Sequence, residues 1–274
     1  MTAARRSAAV WAALAVVALA LGDCARLVVG AETAPREADW GAAEAAVRAG
    51  FAPGDLIVAA PGWADPMMRL HLGDLVPVAV AARADSDRFG RIWEVSIRGA
   101  IAAEARPPSA CTGILDGRVR VRRCDRPAAR VLYDARAHLG EVVANRVRSG
   151  VALSFTPALI VGEVDYAPHQ CMLVQPDLPG TVMRLEWPSV RLGRTLVGYA
   201  GMHHFHSRKL ADGPVDVVVL IDDHEALRFT QRNRDGWRRF EIATRAGRNA
   251  SVRVEISSAQ PRERKLCLTW EARE

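Results

Sequence analysis

Short segments in which apolar and polar residues alternate recur through the second half of the sequence, from about residue 151 onward. Residues 252–257 and 266–271 alternate strictly, and residues 215–221 form an apolar run that ends at the turn residues Asp222 and Asp223. Because successive side chains on a strand point to opposite faces, this pattern predicts an antiparallel β-sandwich or jelly roll. The other segments that fit short strands are residues 171–174, 181–187, 194–200, 226–230 and 237–243.

The alternation also predicts which side chains face the core of the sandwich. The residues expected to point inward are Val254, Ile256, Leu268 and Trp270. The residues expected not to point inward are Arg253, Glu255 and Thr269. A shift of one residue in strand pairing would exchange the two sets, so they test the register as well as burial.

A different pattern precedes the sandwich, with helical segments alternating with apolar runs. Asp39 can cap a helix that ends at Gly50, and Asp65-Pro66 is typical of the start of a second, short helix. The apolar runs expected to form strands are residues 56–60, 76–82 and 92–97. The alternation predicts a small parallel α/β layer. The fold class is therefore α+β: a small α/β layer followed by an antiparallel β-sandwich.

Three regions follow from these patterns. Residues 1–31 form an N-terminal segment, residues 32–130 a small α/β domain, and residues 131–274 the sandwich domain. Within the last region, the apolar spacing of residues 135–148 favours a helix.

The N-terminal segment has the pattern of an export sequence. Arg5 and Arg6 precede the apolar residues 8–22, and no further charge occurs before Asp23. A basic start followed by a short apolar run is typical of a secretory signal peptide, whereas a spanning helix needs about 20 apolar residues. Cleavage after Ala31 and retention as an anchor both stay open. The sequence predicts a periplasmic or extracellular protein that contacts a membrane only through this segment.

The cysteines agree with an oxidising compartment. Four lie outside the N-terminal segment, an even number that predicts disulfides: Cys111, Cys124, Cys171 and Cys267. Asp116-Gly117 is a strong hairpin turn between the first two, and it predicts a bridge between them. The pairing of the other two stays open.

Charge and motifs exclude several classes of partner. The net charge is +6, and the basic residues are spread along the chain. Their densest run, residues 118–126, has no interleaved aromatic residue for base stacking, so nucleic acid is not an expected partner. No dinucleotide-binding or phosphate-binding glycine motif occurs, and no cofactor is expected.

The candidate binding residues are Trp187, His204, His206 and Asp222. On a strand, His204 and His206 would share a face, where imidazoles can bind zinc or copper, and Asp222 lies in a nearby turn. A solvated loop explains these histidines equally well, and we predict no metal site. Trp187 can stack on a sugar ring. No nucleophile motif occurs, and spacing alone selects no pair of catalytic carboxylates, so whether the chain is an enzyme stays open, with binding favoured.

Two resemblances narrow the function. Residues 39–73, with Asp39-Trp40, Pro53-Gly54-Asp55 and Trp63, resemble the extracytoplasmic domain of membrane glycosyltransferases that use lipid-linked sugars. Residues 194–272, with a Gly236-Trp237 strand and an apolar strand that ends in an aspartate turn, resemble galactose-binding-like jelly-roll domains. The first resemblance implies a sugar-related setting without transferase activity, because the chain lacks a polytopic membrane domain. The second implies a glycan or envelope polysaccharide as partner.

These observations predict an exported envelope protein with a non-catalytic, carbohydrate-binding-like β-sandwich, associated with glycan modification. Two alternatives stay open. One is a glycan-active enzyme or an accessory subunit of a lipid-linked-sugar glycosyltransferase, and the other is a protein–protein interaction module.

Overall fold

The computed structural model describes residues 3–107, 109–176, 178–203, 213–261 and 264–274. The chain forms two compact units. The first contains Met1–Leu75 and Arg91–Asp125, and the second contains Val76–Gly90 and Arg126–Glu274. The first is a small α/β layer and the second is an antiparallel β-sandwich, so the predicted α+β fold class is confirmed.

The first unit combines three helices with one mixed sheet. The helices are α1 (Ala3–Glu32), α2 (Glu37–Arg48) and α3 (Asp65–Leu72). The strands are β1 (Leu56–Ala60), β2 (Arg91–Ile97), β3 (Ala110–Leu115) and β4 (Val119–Asp125), in the sheet order β1-β2-β4-β3. The strands predicted at residues 56–60 and 92–97 are present. Only β1 and β2 are parallel, because β4 and β3 join the sheet through antiparallel pairs.

The strand predicted at residues 76–82 is wrong. Val78–Ala81 form the short helix α4, which follows Pro77. Proline fixes its own φ and is favoured at helix starts, so this apolar run begins as a helical turn. The run also belongs to the second unit, whereas the sequence analysis placed it in the α/β domain.

Among the residues that the structure describes, the second unit contains twelve strands in two sheets. The strands that lead into the sandwich are β5 (Val131–Asp134), β6 (Val143–Arg148), β7 (Val151–Ser154), β8 (Ala158–Val164), β9 (Ala167–Val174) and β10 (Val182–Arg191). The others are β11 (Thr195–Met202), β12 (Val215–Ile221), β13 (His224–Gln231), β14 (Arg238–Ala243), β15 (Asn249–Ser257) and β16 (Leu266–Arg273).

The strand order shows the jelly-roll character. Sheet I has the order β13-β12-β15-β10-β6-β7, and sheet II has the order β14-β11-β16-β9-β8, with β5 paired to β16. From β9 to β16 the chain crosses repeatedly between the sheets, as in jelly-roll sandwiches.

The helix predicted over residues 135–148 is wrong. Val143 and Val147 belong to β6, which pairs with both β10 and β7, and this pairing satisfies the backbone as a helix would have done.

The core lies between the two sheets and has the predicted register. Val254, Ile256 and Leu268 are fully buried, and Trp270 is 1% exposed. Thr269 faces the other side of sheet II, as predicted, but it is buried there as well. Residues 82–87 cover this outer face through contacts to β9, β11 and β16, which the alternation of a single strand cannot reveal.

Two disulfides are present. Cys111 and Cys124 lie directly opposite each other on β3 and β4, as predicted from the hairpin between them. Cys171 and Cys267 form the second bridge, which joins β9 to β16 in sheet II across 96 residues of sequence. Each bridge lies within one unit.

The N-terminal apolar segment forms a long helix. Within α1, Trp11–Glu32 is a run of 22 residues with a mean hydropathy of 2.0, none of it buried. Its length and composition suffice to cross a membrane, and a signal sequence passes the same test.

Candidate functional site

An open cleft lies at one edge of the sandwich, where β13 ends sheet I and β14 ends sheet II. Its volume is about 640 Å³, within the usual range of small-molecule sites. Two segments form its walls: the β12–β13 turn on one side, and the end of β14 with the β14–β15 loop on the other. We refer to it as the edge cleft.

The β12–β13 turn positions the first polar group. Asp222 and Asp223 have φ values of 49° and 63°, the left-handed conformation that two-residue hairpin turns require and that aspartate tolerates. The Asp222 carboxylate accepts hydrogen bonds from the backbone N–H of Ser251 at 2.9 Å and from the Arg248 guanidinium at 2.6 Å. The Ser251 N–H, followed by Arg248, holds the pKa of Asp222 below its ordinary value. Asp222 is therefore an anionic acceptor on the cleft wall.

The β14–β15 loop carries the cationic groups of the opposite wall. The Thr244 hydroxyl donates to the Gly193 carbonyl at 2.7 Å, and the Gly247 N–H donates to the Leu192 carbonyl at 3.1 Å. These bonds fasten the loop to the segment between β10 and β11. Arg245, which they hold at the rim, is exposed and makes no hydrogen bond or ion pair with any residue that the structure describes.

Apolar side chains form the floor of the edge cleft. Ile221 packs partly against the sandwich core, Ile242 is 8% exposed, and Ala226 and Ala243 complete the surface. Below the floor, Phe229 and Phe240 close the space between β13 and β14 with ring centroids 5.3 Å apart. The cleft thus combines an aliphatic floor with a rim of charged groups, an arrangement typical of small-ligand sites.

The structure separates the residues singled out from the sequence. Asp222 lines the edge cleft. Trp187 is fully buried and meets Trp270 edge-to-face at 5.0 Å in the core, so the idea that it stacks on a sugar is wrong. It sits on β10 opposite Val252, between the sheets. His204 and His206 lie outside the described residues, and their proposed role stays a prediction.

Sequence reasoning noted His224 only as a residue of the Asp222 turn that could complete a metal site, and it missed Arg245 and Arg248 as cleft residues. The only local signal was that Arg245 and Arg248 flank a turn between two predicted strands. Arg245 and Arg248 line the same cleft as Asp222 because β13 and β14 are edge strands that lie side by side, with Phe229 and Phe240 in contact, and the local sequence does not reveal this pairing.

A second polar cluster lies on the outer face of sheet II, and it is closed. The Arg273 guanidinium, 5% exposed, binds Asp85 at 2.8 Å, Glu271 at 2.9 Å and Asp87 at 3.2 Å. The Tyr199 hydroxyl donates to Asp85 at 2.8 Å. Burial raises the pKa of Tyr199, with the charge of Asp85 acting in the same direction, so the phenol stays protonated. The groups of this Arg273 cluster satisfy one another, which indicates a structural role rather than a ligand site.

Metal binding has no support within the described part of the chain, where no group of three or more His, Cys, Asp or Glu side chains is arranged to hold an ion.

Trp237, another aromatic in the strand resembling sugar-binding domains, packs on the outer face of sheet II. It stacks on His169 at 4.1 Å and donates its Nε1–H to the Ala84 carbonyl at 3.0 Å.

No protein-family profile and no curated protein matches the chain. Three solved structures are similar to parts of it. A CBM51 domain of the Clostridium perfringens GH95 protein, in complex with methyl-galactose, is 6% identical and covers 48% of this chain and 78% of that chain, with a TM-score of 0.29. The catalytic domain of C. perfringens ZmpB with its two CBM51 domains is 10% identical over 53% of this chain, which spans 13% of that chain, with a TM-score of 0.30.

The third is the secreted serine protease VesC of Vibrio cholerae, which is 9% identical and covers 67% of this chain and 43% of that chain, with a TM-score of 0.32. Likenesses at these TM-scores assign neither a family nor a function. The fold assignment rests on the strand order, and any function rests on the edge cleft.

Proposed function

We propose that this chain is an exported protein whose β-sandwich is a non-catalytic carbohydrate-binding module, with the edge cleft as its sugar site. The observation that carries the proposal is that Arg245, which has no partner among the described residues, lies beside the Asp222–Arg248 pair above an aliphatic floor. A sugar presents hydroxyl groups at its ring edge and C–H groups at its face. The rim matches the hydroxyls with donors and an acceptor, and the floor matches the ring face.

The charges favour an acidic sugar as ligand. Asp222 is matched by Arg248, and Glu225 is matched by Arg228 at 2.6 Å. Arg245 is the cation of the cleft that lacks a described carboxylate partner, and a guanidinium binds carboxylates through paired hydrogen bonds. A uronic acid or another carboxylate-bearing sugar would supply that partner.

The carboxylates of the edge cleft support binding rather than hydrolysis. A glycosidase needs one carboxylic acid with a raised pKa to protonate the leaving oxygen. Hydrogen bonding from Arg228 lowers the pKa of Glu225, and the Ser251 N–H lowers that of Asp222. Both groups are therefore ionised at neutral pH and unsuited to act as the general acid.

Arg245→Ala is expected to weaken binding of an acidic oligosaccharide by about tenfold to a hundredfold, the loss typical of one charge-assisted hydrogen-bonded contact. The full chain in detergent would be screened on a glycan array, and the best ligand would be titrated by calorimetry. Arg130→Ala is the matched control, because it removes an exposed arginine, paired with Glu274 at 2.7 Å, that does not line the cleft. Equal affinities for the two variants, or an array without acidic glycans among its binders, would contradict the proposal.

Export has its own test. A reporter that is active only outside the cytoplasm, fused after residue 40, is expected to be active, because Arg5 and Arg6 followed by the apolar helix form an export sequence. Replacing residues 8–22 with a polar segment of equal length should abolish that activity. No activity from this reporter, together with activity from a second reporter that works only in the cytoplasm, would contradict the exported location. It would also contradict the oxidising compartment inferred from the cysteines.

The association with lipid-linked-sugar glycosyltransferases remains a proposal that rests on the resemblance of residues 39–73. Several of the residues that carry the resemblance have structural roles. Asp39 accepts the Arg36 N–H at the start of α2, Trp40 is buried, and Asp55 accepts the Nε1–H of Trp93 at 2.8 Å. Trp63 differs from these, because it is 64% exposed.

A further inference from the structure

The outward face of α3 is apolar. Trp63, just before the helix, and Met67 and Leu70 within it are spaced by four and three residues, so they lie on one side. They are 64%, 41% and 72% exposed. The opposite side, with Ala64, Met68 and Leu72, is buried in the first unit. The side that carries Trp63, Met67 and Leu70 is therefore apolar but is not buried in the first unit. We call this side the α3 face.

The α3 face is linked to the apolar helix α1 through Arg98. This residue follows β2 in a turn where Arg98 and Gly99 both have positive φ, 55° and 71°. Its guanidinium lies 5.6 Å from the centroid of the Trp63 ring. Arg98 also lines a cavity of about 720 Å³ whose other walls come from the C-terminal part of α1 and the residues after it, including Arg26, Leu27 and Ala31.

We propose that the α3 face docks on a lipid bilayer at the point where α1 leaves it. Tryptophan prefers the membrane–water interface, and an apolar face next to a membrane-length helix would otherwise stay in water. Arg98 and Arg26 place two guanidinium groups at the level where lipid phosphates lie, so anionic lipids strengthen the contact.

The structure favours lipid over a protein partner for this face. The α3 face begins beside the end of α1, and only four residues separate α1 from α2, so a membrane-inserted α1 keeps the first unit within reach of the headgroups. Leu27, Val28 and Val29 near the end of α1 are exposed apolar residues as well.

The test places an environment-sensitive fluorophore on the α3 face. Leu70→Cys in a Cys24→Ser background would be labelled with a nitrobenzoxadiazole dye, and the full chain would be reconstituted into phosphatidylcholine–phosphatidylglycerol vesicles. Cys24 is the one cysteine outside the two disulfides, so the label is specific. Met67→Cys, on the same face, is the second labelling position. Val161→Cys on β8, 48% exposed in the second unit, is the control.

The dyes at positions 67 and 70 are expected to shift their emission to the blue and to be quenched by lipids brominated near the headgroup, at least about threefold more than the dye at position 161. Replacing phosphatidylglycerol with phosphatidylcholine should reduce the quenching without removing α1 from the bilayer. The proposal fails if the dyes at both α3 positions stay unquenched in vesicles, or if the control dye is quenched to the same degree.

Discussion

Trp270→Ala is expected to lower the free energy of unfolding of the sandwich by about 3–5 kcal/mol, the usual range for removing a large aromatic side chain from a core. The Trp270 ring is 1% exposed and meets Trp187 edge-to-face at 5.0 Å and Tyr133 in a stacked arrangement at 5.7 Å. Alanine would leave both rings without a partner and create a cavity between the sheets. Denaturant unfolding, followed by circular dichroism, measures the change.

The control is Arg253→Ala, on the outer face of sheet I. Arg253 pairs with Asp223 at 2.5 Å and with Glu255 at 3.3 Å, and its side chain is 17% exposed. Surface ion pairs contribute little, so we expect a loss of about 1 kcal/mol or less. The free energy of unfolding of Trp270→Phe should fall between those of the two alanine variants. This variant provides the measurement if Trp270→Ala does not fold. Losses of equal size for Trp270→Ala and Arg253→Ala would mean that the register is misassigned.

Arg273→Met is expected to lower the free energy of unfolding by about 3–5 kcal/mol, because removing one partner of a buried ion pair leaves uncompensated charge. In the Arg273 cluster, the charge left without its cation is Asp85, whose side chain is 12% exposed, whereas Glu271 keeps Arg88 at 3.1 Å and Arg136 at 3.3 Å. Methionine keeps most of the side-chain volume, so the loss reports charge rather than packing. The control is Arg239→Met, whose exposed pair with Glu241 should cost about 1 kcal/mol or less.

The same cluster gives a pH dependence with a defined sign. Burial raises the pKa of Asp85, but the charge of Arg273 and the hydrogen bonds from Tyr199 and Arg273 outweigh burial, so the pKa lies below its ordinary value. A carboxylate with a lowered pKa stabilises the fold above the pKa of the unfolded chain, about 4, and this stabilisation is lost as the pH falls through the folded value. Arg273→Met should therefore flatten the acid limb of the stability curve. An unchanged acid limb would contradict the role assigned to the cluster.

The sandwich was predictable because alternation reports directly on which face of a strand is buried. Val254, Ile256 and Leu268 were assigned correctly from that rule alone. Alternation fails where a third element covers the outer face of a sheet. Thr269 is buried for that reason, and the covering segment itself was misread, since the apolar residues 76–82 fit a strand as well as a short helix after Pro77.

The candidate site was predictable only in part. Asp222 was found because an Asp-Asp pair after an apolar run indicates a hairpin turn, which the structure contains. Trp187 was misassigned because an aromatic residue on a strand has the same local sequence whether it faces the core or a ligand. Arg245 could not be distinguished among the 37 basic residues of the chain, since its lack of a partner among the described residues is a property of the folded structure.

The order in which the chain is made bears on how the two units form. The chain completes most of the first unit, contributes Val76–Gly90 to the second, and then returns to the first through Asp125. The ion pair of Asp85 can form only after Arg273, which lies 188 residues later in the chain, has been synthesised. During synthesis from the N-terminal end, we expect the first unit to close early while this acidic segment remains hydrated. β16, the last strand of sheet II to be made, then completes the sandwich. A chain interrupted before β16 would therefore contain a folded α/β layer and an incomplete sandwich.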